Sequence, residues 1–215
     1  MSDGEGADLQ NTVLDFYDHR SVERELLVTG IGGQGVQLVA IVLAHAALAE
    51  GRTVQVFGSY GGMMRGGNTQ STVIVADGPV EAPPTVSAAW SAILMHPEFS
   101  EPTVRCLVPG GVALVNSTVF EGDLGTTAFA VVEIPASALA LDLGNALAAS
   151  MVMAGAYVAV TGLVSLDALQ GAARGALPAY RAQHAELNER ALLAGYDAAP
   201  RLRVPAWSSG LALSP

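Results

Sequence analysis

The stretch Arg24-Glu-Leu-Leu-Val-Thr-Gly30-Ile-Gly-Gly-Gln-Gly35 carries a short apolar run straight into a cluster of glycines. Arg24 to Thr29 predicts a central strand. Val36 to Ala49 predicts a helix that Glu50 and a Gly51 cap bring to an end. Gly30, Gly32 and Gly35, with Gly33 and Gln34 between them, spell G-x-G-x-x-G between strand and helix, the context in which that spacing carries weight. Such glycines permit a tight turn and leave backbone N–H groups at the helix start free to approach an anion. Thr53-Val-Gln-Val-Phe57 reads as a second strand, rich in β-branched residues. Strand, loop, helix and strand together predict a parallel βαβ unit with a right-handed crossover.

A second glycine-rich loop, Gly58-Ser-Tyr-Gly-Gly-Met-Met-Arg-Gly-Gly67, follows at once. Its cation, Arg65, lies among glycines beside Ser59, Tyr60, Gly66 and Gly67, and suits either a phosphate or carboxylate ligand or a salt bridge to another subunit. Gln34 is placed to tie the two loops together through its amide, since both are expected at the carboxyl ends of adjacent strands. A nicotinamide dinucleotide also asks for an acid at the end of the second strand. Val54-Gln-Val-Phe-Gly58 has none, and Arg52 precedes that strand rather than ending it. Another phosphate-bearing ligand and a turn used for packing or subunit contact both stay open.

Downstream, strands are expected at Thr69 to Ala76, Ser91 to Met95, Val112 to Val115 and Ala128 to Glu133, with turns at Asp77-Gly-Pro79 and Pro109-Gly-Gly111. Pro135 opens a helical region, followed by helices at roughly 146–160, 166–177 and 180–194. Strands interleaved with helices and a helical end predict an α/β domain with a mostly parallel sheet. That domain is expected over 23–197. An acidic arm precedes it at 1–22, and an irregular tail follows at 198–215, in which Leu202, Val204 and Trp207 are apolar enough to dock on a surface. Leu143 to Leu166 is uncharged and long enough to cross a bilayer. Its alanines, its polar Asn145, Ser150, Thr161 and Ser165, and the breaks at Gly144, Gly155 and Gly162 favour a buried helix instead, so no membrane span is expected.

Composition bounds the partners. Of 215 residues, 14% are charged against 51% hydrophobic, and 10 basic residues face 20 acidic ones for a net charge of -10. Soluble domains usually carry about 25% charged residues, so part of this surface is expected to be covered by another chain. A nucleic-acid ligand is not expected, because phosphate neutralisation needs clustered cations. The single cysteine, Cys106, excludes an internal disulfide framework, a Cys-rich zinc site and an iron–sulfur cluster held by this chain alone. That usage is consistent with a reducing cytoplasm, and the polar, acidic start does not read as a signal peptide.

The familiar catalytic patterns are missing: no H-x-x-x-H, no G-x-S-x-G, and no lysine in either loop. His45 lies among Val42, Leu43, Ala46 and Ala47 and reads as a packing or surface residue. His96, before Pro97 at a strand end, is the histidine best placed for a site, while His19 and His184 look peripheral. Cys106, beside Leu107 and Val108, reads as a small buried hydrophobe. Asn116-Ser-Thr118 closes a strand, where it serves either a ligand or a turn. No general acid–base pair is evident, so neither a catalytic residue nor a metal site is expected here.

These motifs resemble the gamma subunit, or gamma domain, of the 2-oxoacid:ferredoxin (acceptor) oxidoreductases. The matching pieces are Gly30-Ile-Gly-Gly-Gln-Gly-Val36, Ser59-Tyr-Gly61, Met64-Arg-Gly-Gly67, and Thr72-Val-Ile-Val75 leading to Asp77. Val108-Pro-Gly-Gly111, Asn116-Ser117, Ile134-Pro-Ala136, and Asn188 before Gly195 also fit, so the resemblance spans about 24–197. In motif it is similar to the 2-oxoglutarate-type gamma subunits, which carry Ser-Tyr-Gly-Pro-Glu-Met-Arg-Gly-Gly. Here Gly62-Met63 stands in place of Pro-Glu, and a local charge is lost.

The resemblance implies a Rossmann-like, three-layer α/β domain in a complex that oxidatively decarboxylates a 2-oxo acid and transfers the acyl group to coenzyme A. Thiamine diphosphate and Mg2+ would sit in alpha/beta-type subunits. Electrons would pass through iron–sulfur clusters in a ferredoxin-like subunit to ferredoxin or a related acceptor. A gamma–gamma contact is also implied. This chain carries neither the acidic thiamine–magnesium motif nor cluster cysteines, and on its own it is expected to be inactive. Its expected contribution is assembly and the shaping of the coenzyme A approach through Gly30, Gly32, Gly33, Gln34, Gly35, Ser59, Tyr60, Arg65, Gly66, Gly67 and Asn116. The alternatives are a freestanding dinucleotide- or coenzyme-binding oxidoreductase and a purely structural interaction subunit.

Overall fold

The computed structural model describes residues 21–60, 67–81, 86–122, 124–176 and 185–207, with Ser59 and Tyr60 described by their backbone alone. The N-terminal residues 1–20, with His19, lie outside the described set, as do His184 and loop residues 61–66 with Arg65 and Gly66. The elements run β1 (Glu23–Ile31), α1 (Val36–Ala49), β2 (Thr53–Tyr60), β3 (Asn68–Ala76), β4 (Ala89–Leu94), α2 (Glu101–Arg105), β5 (Leu107–Asn116), β6 (Ala130–Ile134), α3 (Ala136–Asp142), α4 (Ala149–Thr161), α5 (Leu166–Gly175) and α6 (Ala185–Ala198). This is an α/β fold with a mixed, mostly parallel sheet and a helical C-terminal region.

Sheet order is β2-β3-β1-β4-β5-β6. β1, β4, β5 and β6 pair parallel in that sequence. β3 pairs antiparallel with β1 on one side and with β2 on the other. The expected βαβ neighbours, β1 and β2, are therefore not adjacent, because β3 returns between them. The physical reason is the short connection after Tyr60. It has room for a hairpin but not for the crossover of a dozen or more residues that a parallel neighbour needs.

The Pro109-Gly-Gly111 turn also falls differently, inside β5. Ala89 pairs with Leu107 but Ser91 with Val112, so three extra residues on β5 are absorbed as a bulge. Gly111 is required there, because a Cβ would run into the Trp90 carbonyl.

The main core lies between one sheet face and the helices. Leu26, Val28, Val73, Val75, Ile93 and Leu114 point from the sheet to meet α1, α3, α4, α5 and α6. The other face has a thinner cover: Ala92, Leu94, Ala113, Val115 and Phe129 form a small cluster with Val104 of α2 and the connection after β5.

The uncharged stretch from Leu143 resolves into a short 3-10 turn at Ala146–Ala148 and α4, every residue of which is buried. Such burial is worth about 1.5–3 kcal/mol for each large apolar side chain, which is why a helix without a polar face is stable here. Among the described residues, no helix is long and apolar enough to cross a membrane.

α6 packs on α4 with unusual closeness. A Cβ on Gly155 would overlap the Leu192 carbonyl, and one on Gly195 would overlap that of Val152. α4 ends at Gly162, whose φ of 58° closes the helix through an N–H bond of 2.8 Å to Val158 O. The tail then caps the remaining carbonyls. Val204 and Ala206 donate to Val160 O and Thr161 O at 3.0 and 2.8 Å. Trp207 Nε1 donates to Leu163 O at 2.9 Å, and the Arg52 guanidinium stacks 3.9 Å above its ring. Val204 and Trp207 thus dock as expected, whereas Leu202 stays 45% exposed.

Candidate functional site: the glycine loop at the carboxyl end of β1

The strand order reverses beside β1, with α1 leading away to one side and β4 lying on the other. Ligands of open α/β sheets bind in the crevice at such a switch, outside the carboxyl ends of the strands. The glycine loop occupies that position. Ile31 N–H donates to Gln34 Oε1 at 2.9 Å, and Gln34 N–H returns to Ile31 O at 3.2 Å. Gly30 makes this fold possible, since a Cβ would stand 2.6 Å from Gln34 Oε1 and 2.9 Å from Met95 Cβ. Gly35 adopts φ 78°, and its carbonyl accepts the Val39 N–H at 3.0 Å to start α1. Gly35, the residue ahead of α1, offers no capping side chain, and the first turn carries no acid. A helix start of this kind carries a partial positive charge on its first N–H groups.

Gly67, which ends the second loop, lies against the first loop. Gly32 N–H donates to Gly67 O at 2.9 Å. Ser59 and Tyr60 lie on β2 opposite Gln70 and Thr69. Gln34 uses its amide oxygen within its own loop, accepting the Ile31 N–H. Gln37, in the first turn of α1, reaches the strands beside the second loop: its Nε2 donates to Gln70 O of β3 at 3.3 Å, and its Oε1 would meet a Gly58 Cβ at 2.8 Å. The signal for Gln37 was present in the sequence as a polar residue in the first turn of an otherwise apolar helix, followed later by a glycine inside a strand.

Asn116, expected near a ligand, is fully buried. Its Nδ2 donates to Ser137 Oγ at 2.8 Å and Met95 O at 3.4 Å, and its Oδ1 accepts the Ser137 N–H at 3.2 Å. That side chain staples β5 to β4 and to the start of α3, and its amide has both ends engaged. His96 follows β4 at the loop end, where its Nδ1 accepts the Glu98 N–H at 3.2 Å and starts the 3-10 turn Pro97–Phe99. This leaves Nε2 as the ring nitrogen that carries the proton when the imidazole is neutral. His45 is exposed on α1, and Cys106 is half-buried.

At the opposite end of the sheet lies a fully paired polar cluster. The Arg24 guanidinium stacks 5.0 Å from the Trp90 ring and donates to Ala206 O at 2.5 Å. Tyr157 OH is 2.9 Å from Ser91 Oγ, which donates to Glu25 O at 3.1 Å. Burial pushes the Tyr157 hydroxyl well above its usual range. Burial also raises the Glu25 carboxyl, against the Trp90 N–H bond that favours its ionised form. Among the described residues, no group of three or more His, Cys, Asp or Glu is gathered to hold a metal ion.

A family model described as pyruvate ferredoxin/flavodoxin oxidoreductase matches residues 25–198, and the chain belongs to that family. Within it, the chain is a gamma subunit of the 2-oxoacid:acceptor oxidoreductase type, similar to KorC and PorC subunits. The 2-oxoglutarate synthase subunit KorC of Methanocaldococcus jannaschii is 27% identical over 184 residues, covering 84% of this chain and 96% of that protein. Ketoisovalerate oxidoreductase subunit VorA of Methanothermobacter thermautotrophicus is 32% identical over 145 residues, or 67% of this chain, but the match spans only 30% of VorA's length. The crystal structure of the keto/oxoacid ferredoxin oxidoreductase gamma subunit from Geobacter sulfurreducens PCA superposes with a TM-score of 0.70 at 30% identity, covering 82% of this chain and 95% of that one.

Proposed function

We propose that the chain is the non-catalytic gamma subunit of a cytoplasmic complex that oxidatively decarboxylates a 2-oxo acid to an acyl-coenzyme A and passes electrons to ferredoxin or a related acceptor. Its own contribution is assembly of that complex and the shaping of the path by which coenzyme A approaches. Thiamine diphosphate, Mg2+ and iron–sulfur clusters do not fit its own donor set. A cluster takes about four thiolates, and the sequence has one cysteine. Those groups belong on the alpha/beta-type and ferredoxin-like partners.

The observation that carries the reading is the uncapped start of α1 behind Gly32–Gly35, at the switch in strand order. Backbone donors at a helix start suit the phosphates of coenzyme A, and Arg65 is assigned to clamp one of them from the second loop. A second reading, in which the chain serves purely as an interaction subunit, is favoured by α1 itself. It carries no charged residue, yet Ile41 and Leu48 are 41% and 55% exposed on either side of His45. That apolar ridge suits a partner chain.

Arg65→Ala in the assembled complex separates the two. Intact assembly with the KM for coenzyme A raised about tenfold, the scale of one charge-assisted hydrogen bond, supports the coenzyme reading. Failure to assemble supports the interaction reading. An unchanged complex with an unchanged KM contradicts the assignment of Arg65.

A further inference from the structure

The two edges of the sheet are built differently. β6, at one edge, is five residues long and carries the exposed Glu133. β2, at the other, is eight residues long, has no proline and no charged residue, and pairs with β3 from Thr53 to Tyr60 without a shift in register. Edge strands are commonly blunted by a charge, a proline or a bulge that stops another strand from adding to them, and β2 has none of these. Val56 pairs with Val73, a residue of the main core, so its side chain points to the helix-covered face of the sheet, where it is 39% exposed. α1 packs on β2 and β3 on that face. Its exposed residues are Ile41, His45, Leu48 and Ala49, a stripe at i, i+4, i+7 and i+8. Strand edge and helix stripe contain no Asp, Glu, Lys or Arg, in a chain with a net charge of -10. The charges beside them are engaged within the chain: Glu50 accepts the Ser165 N–H at 2.8 Å, and Arg52 lies over the Trp207 ring.

We propose that β2 and the exposed stripe of α1 form a contact between two copies of this chain, in which the β2 strands pair antiparallel across a two-fold axis and join the two six-stranded sheets into one. Two acidic chains repel wherever their acids meet, and at this edge neither brings any. The strand that fits needs an equally open, uncharged edge with an apolar helix beside it, and β2 of a second copy meets that description. Residues directly opposite in an antiparallel pair point to the same face, so the axis passes through a residue and not between two. An axis at Val56 sets Val56 against Val56, Gln55 against Phe57 and Val54 against Gly58. It also brings both α1 helices to one side of the joined sheet, where Ile41 and Leu48 of each copy close the seam. Pairing β2 with β6 of another copy would instead build an open filament, and Glu133 works against it. The inference rests on the reading of α1 as an interaction ridge, and deepens it by naming the partner.

The test is sedimentation velocity of the full chain over a concentration series, for the wild type, Val56→Lys and Leu48→Glu. The wild type is expected at twice the chain mass and both variants at the chain mass. Both positions are exposed, so the variants should keep the wild-type circular dichroism spectrum. Disulfide trapping reads the register. In a Cys106→Ser background, Val56→Cys is expected to cross-link two copies on oxidation, since opposed Cβ atoms stand about 4.5–5.5 Å apart. Thr53→Cys is not, because its thiols would lie about 20 Å apart across the axis. A dimer that survives both charge variants, or that cross-links through Thr53→Cys as readily as through Val56→Cys, overturns the inference. A monomeric wild type that joins larger subunits and loses them in Leu48→Glu overturns it too, and leaves the interaction reading of α1 standing. A monomeric wild type whose assembly is untouched by Leu48→Glu overturns both.

Discussion

Glycines at the loop end of this molecule and glycines at the α4–α6 crossing are used for different physical reasons. Gly33 and Gly35 take φ values of 99° and 78°, a left-handed backbone just ahead of α1 that residues with a side chain rarely adopt. Gly155 and Gly195 need no special φ, and what matters there is the missing Cβ, which lets each helix backbone lie against a carbonyl of the other. The polar groups divide in the same way. The described buried side-chain atoms without a hydrogen-bond partner are Asn68 Oδ1, Ser71 Oγ and Ser150 Oγ. Asn68 pairs with Ile31 and Ser71 with Val28 toward the carboxyl end of β1, and Ser150 lies at Gly35. At the far end, Tyr157, Ser91, Glu25 and Arg24 are all partnered. Buried polar groups are normally satisfied, and among the described residues the exceptions lie toward the end of the sheet that carries the glycine loop.

Substitutions that restore a side chain at each end break this contrast unequally. Gly155→Val has the largest expected effect, because backbone faces it and cannot yield. A loss of at least about 3 kcal/mol is expected, read in urea as failure to populate the folded state. Gly35→Ala combines an unfavourable φ with overlap on Ser150 and is expected to cost about 2–3 kcal/mol. Gly33→Ala meets no atom within 4 Å, so it carries only the backbone term of about 1–2 kcal/mol. The difference between the two loop variants in one set of urea melts isolates the contribution of Ser150.

The far end responds more gently. Tyr157→Phe removes one buried hydroxyl while Ser91 keeps its bond to Glu25 O, for an expected loss of about 1 kcal/mol. Glu25 supplies a pH dependence. Its folded-state carboxyl is raised above the ordinary 4.5, so the folded protein holds the proton where the unfolded chain has released it. Its contribution is full below pH 4.5 and falls as pH rises through the elevated folded value. Glu25→Gln is therefore expected to gain stability relative to wild type at neutral pH and to lose that advantage below 4.5, as thermal melts across pH would show.

The helix at Val36–Ala49 and the strand at Thr53 were legible because glycine breaks flank an uninterrupted apolar run. The buried α4 was legible because alanine and scattered polar residues contradict a membrane span. Sheet order was less accessible. It depended on the few residues joining β2 to β3, which motif reading treats as a ligand loop and topology treats as a hairpin. In the site, Gly30 and Gly35 could be read from spacing alone. Gln37 and Ser150 could not, since their positions follow from packing between elements far apart in sequence. Asn116 shows the converse: a polar residue at a strand end suits either a ligand or a turn, and only the structure shows its bonds to Ser137 at the start of α3.

Native mass spectrometry of the protein purified anoxically from its own cells, with iron and thiamine analysis of the same sample, tests the central claim most directly. The account predicts this chain in a complex with larger subunits that carry iron and thiamine diphosphate. A stable free homo-oligomer lacking both would contradict it.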